Sequence, residues 1–137
     1  VTKLEQLAQA IARYEGFYLT PEDCAARKLP YPTIPQRYNN PGDLMFAHQP
    51  GARPSGTHGA DGKPHSYAIF ESVEKGWQAL YAQIRLDASR GLSLQQFIGK
   101  YAPSSDYNDP ANYCAFVARE IGARPADPLH EILEERA

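Results

Sequence analysis

The sequence predicts a mainly α fold of the α+β class: a helical domain with one small antiparallel β-hairpin inserted after the first helical section. Three observations predict it. Apolar residues recur at helical spacing in three long stretches. Four segments open with a helix-start signature, a capping residue followed by proline or by an acid or amide. Only Ser66-Tyr67-Ala68-Ile69-Phe70 is both rich in β-formers and alternating.

The first helix is expected from about Thr2 to Tyr14 or Glu15. Leu4, Leu7, Ala8, Ile11 and Ala12 form its buried stripe. Glu15 is the next position on that stripe, since eleven residues at roughly 100° each return it to about 20° from Leu4. A carboxylate facing inward is costly unless paired or protonated. Gly16 follows, the residue type that ends helices in a left-handed conformation.

Thr20-Pro21-Glu22-Asp23 starts a short helix to about Lys28. Residues 29–42 hold Pro30, Pro32, Pro35 and Pro41 and are expected to be extended and irregular, ending in the turn Tyr38-Asn39-Asn40-Pro41-Gly42. Asp43-Leu44-Met45-Phe46 is expected as the first hairpin strand and Ser66–Phe70 as the second, with a tip of about 20 residues between them. Ser72 caps a long helix, Val73 to Ser89, whose stripe is Val73, Trp77, Leu80, Tyr81, Ile84 and Ala88. Ser93-Leu94-Gln95-Gln96 is a capping box opening a helix to about Lys100. A polar loop, Ser104 to Asn108, leads to Asp109-Pro110. A helix follows with Tyr113, Phe116, Val117 and Ile121 inward, closed by Gly122. Asp127-Pro128 starts a last helix with Leu129, Ile132 and Leu133. No repeat or linker divides the chain, so 1–137 reads as a single domain.

With 137 residues, 42% of them hydrophobic, the chain can build a genuine core. A net charge of −2 without a dense basic stripe argues against nucleic-acid and anionic-membrane binding. No apolar run reaches the roughly 18–20 residues of a transmembrane helix. Cys24 and Cys114 form no zinc motif; one disulfide or two buried thiols both fit. His48, His58, His65 and Asp61 match no metal-ligand spacing, and neither metal nor cofactor is expected. The chain starts at Val1 with one methionine, Met45. That reads as a processed or excised piece, with other domains or proteins of a larger assembly as partners.

An ordered set of segments resembles a known family. It comprises Glu15-Gly16-Phe17, Asn39-Asn40-Pro41-Gly42-Asp43-Leu44, Tyr67-Ala68-Ile69-Phe70, Gly76-Trp77-Gln78-Ala79-Leu80, Tyr101-Ala102-Pro103 and Asn108-Asp109. Together these resemble the lysozyme-like superfamily, and within it the phage- and secretion-associated muramidases and lytic transglycosylases with an NNPGN element. Asp43 stands where that element has its last Asn. The resemblance implies a helical lobe on a small hairpin with a glycan groove between them. It implies cleavage of the β-1,4 bond between N-acetylmuramic acid and N-acetylglucosamine in peptidoglycan, in the periplasm or outside the cell. It also implies that Glu15 is the catalytic acid.

Cleaving that bond requires a proton delivered to the leaving oxygen, hence a carboxyl kept protonated by an apolar pocket. Inward-facing Glu15 suits this; the competing reading is a structural glutamate bonded to the hairpin or paired with Arg37. A two-acid hydrolase needs a second carboxylate. Asp43 and Glu71 are the candidates, each also readable as a turn or capping residue. A lone acid would instead suit a transglycosylase, whose muramoyl 6-hydroxyl attacks C1 to give a 1,6-anhydro product. Asn39 and Asn40 suit glycan binding or plain turn chemistry. Tyr67, Tyr101 and Asn108 suit sugar contacts or plain packing and capping. The alternative function is a non-catalytic glycan-binding or structural module of a secretion system, phage particle or cell-wall machine.

Overall fold

In order along the chain, the elements are α1 (Lys3–Tyr14), α2 (Pro21–Ala26), α3 (Ile34–Arg37), β1 (Ala52–Pro54), β2 (Ala68–Phe70), α4 (Val73–Ser89), α5 (Leu94–Tyr101), α6 (Pro110–Ile121) and α7 (Leu129–Glu134). They come from a computed structural model that describes residues 1–56, 66–102 and 109–134. The fold is mainly helical with a small two-stranded antiparallel sheet. The chain divides into two compact units, one of Val1–Ala10 with Tyr81–Ala137, the other of Ile11–Leu80.

The Ile11–Leu80 unit holds the end of α1, α2, α3, the hairpin and the start of α4. Helix α1 stops as its sequence requires. Gly16 adopts φ +89°. The Phe17 amide donates to the Ala12 carbonyl and the Gly16 amide to that of Arg13. This is a Schellman closure, with Glu15 as the C-cap residue. The loop beyond is held by aromatic edges: Phe17 meets Trp77 at 5.7 Å and Tyr18 at 5.2 Å.

Residues 29–42 are not wholly irregular, contrary to the expectation from their prolines. Thr33-Ile34-Pro35-Gln36 forms the one-turn helix α3 through a complete capping box with proline in the first turn. The Gln36 side chain also donates to the carbonyls of Phe17 and Leu19, and the Thr33 hydroxyl donates to that of Gly16. The cap of α3 therefore pins the loop that follows α1.

The first hairpin strand is also not the expected one. Strand β2 pairs with Ala52–Pro54, in the register Ala52 to Phe70, Arg53 to Ile69 and Pro54 to Ala68. Asp43–Phe46 makes only one isolated bridge, Met45 to Tyr67. Asp43 has φ +52°, which no strand accommodates. The Asn40 side chain, moreover, bonds both backbone groups of Leu44. Along the other edge of β2, the Ala68 amide donates to the Leu44 carbonyl and the Phe70 amide to that of Tyr38.

Glycine at position 76 lets α4 touch the Asn39–Pro41 turn. A Cβ there would fall on the Asn39 carbonyl oxygen and lie 2.8 Å from Pro41 Cδ. The core of this unit comprises Ile11, Ala12, Cys24, Leu44, Ala68, Phe70, Ala79 and Leu80.

The other unit packs Leu7, Ala8, Ile84, Leu94, Phe97, Ile98, Tyr113, Val117, Ile121, Leu129 and Ile132. Its one buried acid among the described residues is Asp87, 1% exposed. Gln83, Arg90 and Lys100 all donate to its carboxylate. Burial opposes that charge, but the three donors outweigh it and hold the carboxyl below its ordinary pKa. Helix α6 closes on Gly122 at φ +68°, and Lys3 Nζ donates to the Ile121 carbonyl at 2.9 Å, a cation at a helix C-terminus. Cys24 and Cys114 are both buried free thiols, each within its own unit.

Candidate functional site

Glu15 is half-buried at the C-cap of α1. It lines an open hollow of about 280 Å³ with Arg37 and Asp43. The rest of the wall is mostly apolar: Leu19, Leu29, Pro30, Pro32, Ile34 and Pro35, with Gly16 and Thr33. The Schellman turn and the α3 cap together set this wall. Thr33 and Gln36 hold the 16–19 backbone against α3 by hydrogen bonds of 2.8–3.1 Å.

Asp43 ends the Asn-Asn-Pro-Gly turn, its amide donating to the Asn40 carbonyl at 3.0 Å. Its left-handed backbone turns the side chain out of line with a strand. Asp43 Oδ1 is buried and has no hydrogen-bond partner. That burial pushes the Asp43 carboxyl up from 3.8 to about 7. The cause is desolvation of the charged form, with no bonded donor to offset it. A raised carboxyl with one buried, unpartnered oxygen on a left-handed backbone marks Asp43 as a candidate site residue.

Of the two candidates for a second carboxylate, Asp43 shares a hollow with Glu15, and Glu71 does not. Glu71 is exposed and lines a different hollow, of about 610 Å³, beside the outer face of the hairpin. Arg37 borders both. It makes no ion pair among the described residues; its guanidinium lies 5.9 Å from the centre of the Tyr38 ring. The Glu15–Arg37 pairing is therefore not formed.

The two asparagines differ. Asn40 is fully buried. Its amide donates to the carbonyls of Leu44 and Ala68 and accepts from the Leu44 amide, all at 2.9 Å. It holds the turn to the hairpin and has no surface with which to meet a glycan, which corrects its assignment to substrate binding. Asn39 is half-buried at φ +52°, donates to the Phe70 carbonyl and lines the larger hollow. Tyr67 is half-buried opposite Met45. Tyr101 belongs to the other unit, where its ring meets Phe97 at 5.4 Å and Tyr113 at 6.5 Å. Asn108, like His58, Asp61 and His65, lies outside the described residues. His48 is exposed beside Phe46, with ring centres 4.6 Å apart. Among the described residues no group of three or more His, Cys, Asp or Glu is arranged to hold a metal. No helix among them is long and apolar enough to cross a membrane.

Arg37 is the site residue whose position the sequence hid. The available signal was the Thr33-x-x-Gln36 box, which places Arg37 at the end of a helical turn above the hollow. No family model, curated protein or solved structure matches this chain.

Proposed function

We propose that the chain cleaves the β-1,4 glycosidic bond of peptidoglycan, with Glu15 as general acid and Asp43 as the second carboxylate. One observation carries the reading: two carboxyl groups from separate segments line one apolar-walled hollow, and burial holds one of them up to about 7. Glu15 is the proton donor in this reading, and Asp43 acts in its ionised form, which its raised carboxyl takes up above about 7. Glu15 protonates the leaving oxygen as its bond to C1 breaks. Asp43 faces the positive charge that builds at C1 and takes a proton from the attacking water. The products are two free sugar ends, and Asp43 releases its proton to solvent while Glu15 takes one up, which restores both carboxyls. A second carboxylate favours this hydrolysis over lone-acid transglycosylation.

The test compares the parent chain with Glu15→Gln and Asp43→Asn on purified peptidoglycan, following turbidity and released muropeptides. The parent releases muropeptides with reducing ends, and both variants lose at least about a hundredfold in rate. Equal release by parent and Glu15→Gln would remove Glu15 from the chemistry. Products ending in 1,6-anhydro sugars would remove Asp43. A parent that sediments with the wall but releases nothing would make the chain a glycan-binding module instead.

A further inference from the structure

The larger hollow has a chemistry of its own. Its cations are Arg37, at the end of α3, and Arg53, on β1. Both are exposed, and neither makes an ion pair among the described residues. Arg53 stands opposite Ile69 in the β1–β2 register, so the two share the outward face, while Ala52 and buried Phe70 share the inner one. Among the described residues the one acid of the wall is Glu71, tied at its amide to the Gly51 carbonyl. Gly51 leaves room for it: a Cβ there, at φ +76°, would lie 3.2 Å from Glu71 Cγ and 3.1 Å from Lys75 Cγ. Among the described residues the wall thus carries two guanidinium forks and one carboxylate, a local positive excess in a chain of net charge −2.

Guanidinium groups that make no ion pair among the described residues, set on a concave wall, match carboxylates, which they bind in bidentate fashion. At about 610 Å³ the hollow exceeds what a lone small anion fills. Its walls offer donors at Arg37, Arg53 and Asn39 and an acceptor at Glu71, the pattern a short peptide with free carboxylates and an amine would satisfy. A glycan strand of peptidoglycan carries such peptides on its muramoyl residues. We propose that this hollow binds the carboxylate-bearing peptide stem of the strand, with Arg53 and Arg37 on its carboxylates and Glu71 on its amine. Arg37, common to both hollows, joins the stem site to the acid pair. The inference rests on the peptidoglycan reading above for the identity of the peptide.

The test separates binding from cleavage. Calorimetric titration of the parent chain with free tetrapeptide stem is expected to show binding. Amidation of the peptide carboxylates, or Arg53→Gln, is expected to weaken it about tenfold or more, the loss of one charge-assisted pair. In cleavage assays Arg53→Gln raises KM on peptide-bearing strands about tenfold and leaves KM and kcat on amidase-stripped strands unchanged. A circular-dichroism melt of Arg53→Gln at the parent's temperature excludes unfolding as the cause. Peptide binding unchanged by amidation or by Arg53→Gln would overturn the proposal, as would no binding by the parent. Binding of the peptide by a chain that cleaves neither strand would uphold the stem site and refute the glycosidase reading alone.

Discussion

Asp43→Asn makes the sharpest prediction, because stability and activity should move in opposite directions. In the folded chain burial lifts this carboxyl from 3.8 to about 7. Between those values the folded state binds a proton that the unfolded state has lost. Stability therefore falls as pH rises from about 4 to about 7 and levels off above. A span of about three pH units at about 1.4 kcal/mol each sets a ceiling of about 4 kcal/mol. Asp43 is only half-buried beside an open hollow, so water screens the charge and about 2 kcal/mol is the expected penalty at pH 8. Asparagine removes the charge, keeps the shape and tolerates φ +52° at least as well. Urea unfolding of parent and variant at pH 8 and pH 4 measures the effect. The variant should gain about 2 kcal/mol at pH 8 and a few tenths at pH 4, while muropeptide release is lost. The same gain at both pH values would refute the argument that an ionised, unsatisfied carboxylate is the source. A loss at pH 8 would mean that Asp43 is held by favourable contacts rather than stranded.

Other perturbations test the scaffold. Gly76→Ala should destabilise by about 2–4 kcal/mol in chemical denaturation, because backbone rather than a movable side chain occupies the Cβ position. Asn40→Ala removes three buried hydrogen bonds and should cost about 3 kcal/mol. Loss of muropeptide release beyond the unfolded fraction would show the turn placing Asp43. Asp87→Asn should cost about 2–3 kcal/mol at pH 7. Because the Asp87 carboxyl is held below its ordinary value, its contribution is present above about pH 4 and disappears as pH falls through the lowered folded value. The variant's deficit in urea unfolding should therefore vanish in strong acid.

Much of the fold was legible because local chemistry decides it. Helix α4 begins and ends at Val73 and Ser89, where Ser72 and the 90–91 turn put its limits, and α6 closes on Gly122. Glycine and capping residues act on their own backbone, so their meaning survives without neighbours. The errors fell where a distant group takes over a local preference. Asp43–Phe46 has the composition of a strand, but the Asn40 side chain claims the Leu44 backbone. Pro30, Pro32 and Pro35 suggested an irregular run, yet a capping box outweighed them at Thr33–Gln36.

The sequence by itself determined that an acid sits at the end of the first helix. Glu15 follows the apolar stripe by angle alone, and Gly16 ends the helix through its own φ. It determined as well that a tight Asn-Asn-Pro-Gly turn precedes the hairpin. Only the tertiary structure decided which carboxyl joins Glu15 in a hollow. Asp43 and Glu71 are both carboxylic acids of similar ordinary pKa. Their environments differ because burial depends on atoms from several segments, the prolines of 30–35 and the turn itself. The same packing decided that Asn40 faces inward and that Arg37 reaches two hollows. Desolvation is a property of the assembled neighbourhood, and no spacing along the chain encodes it.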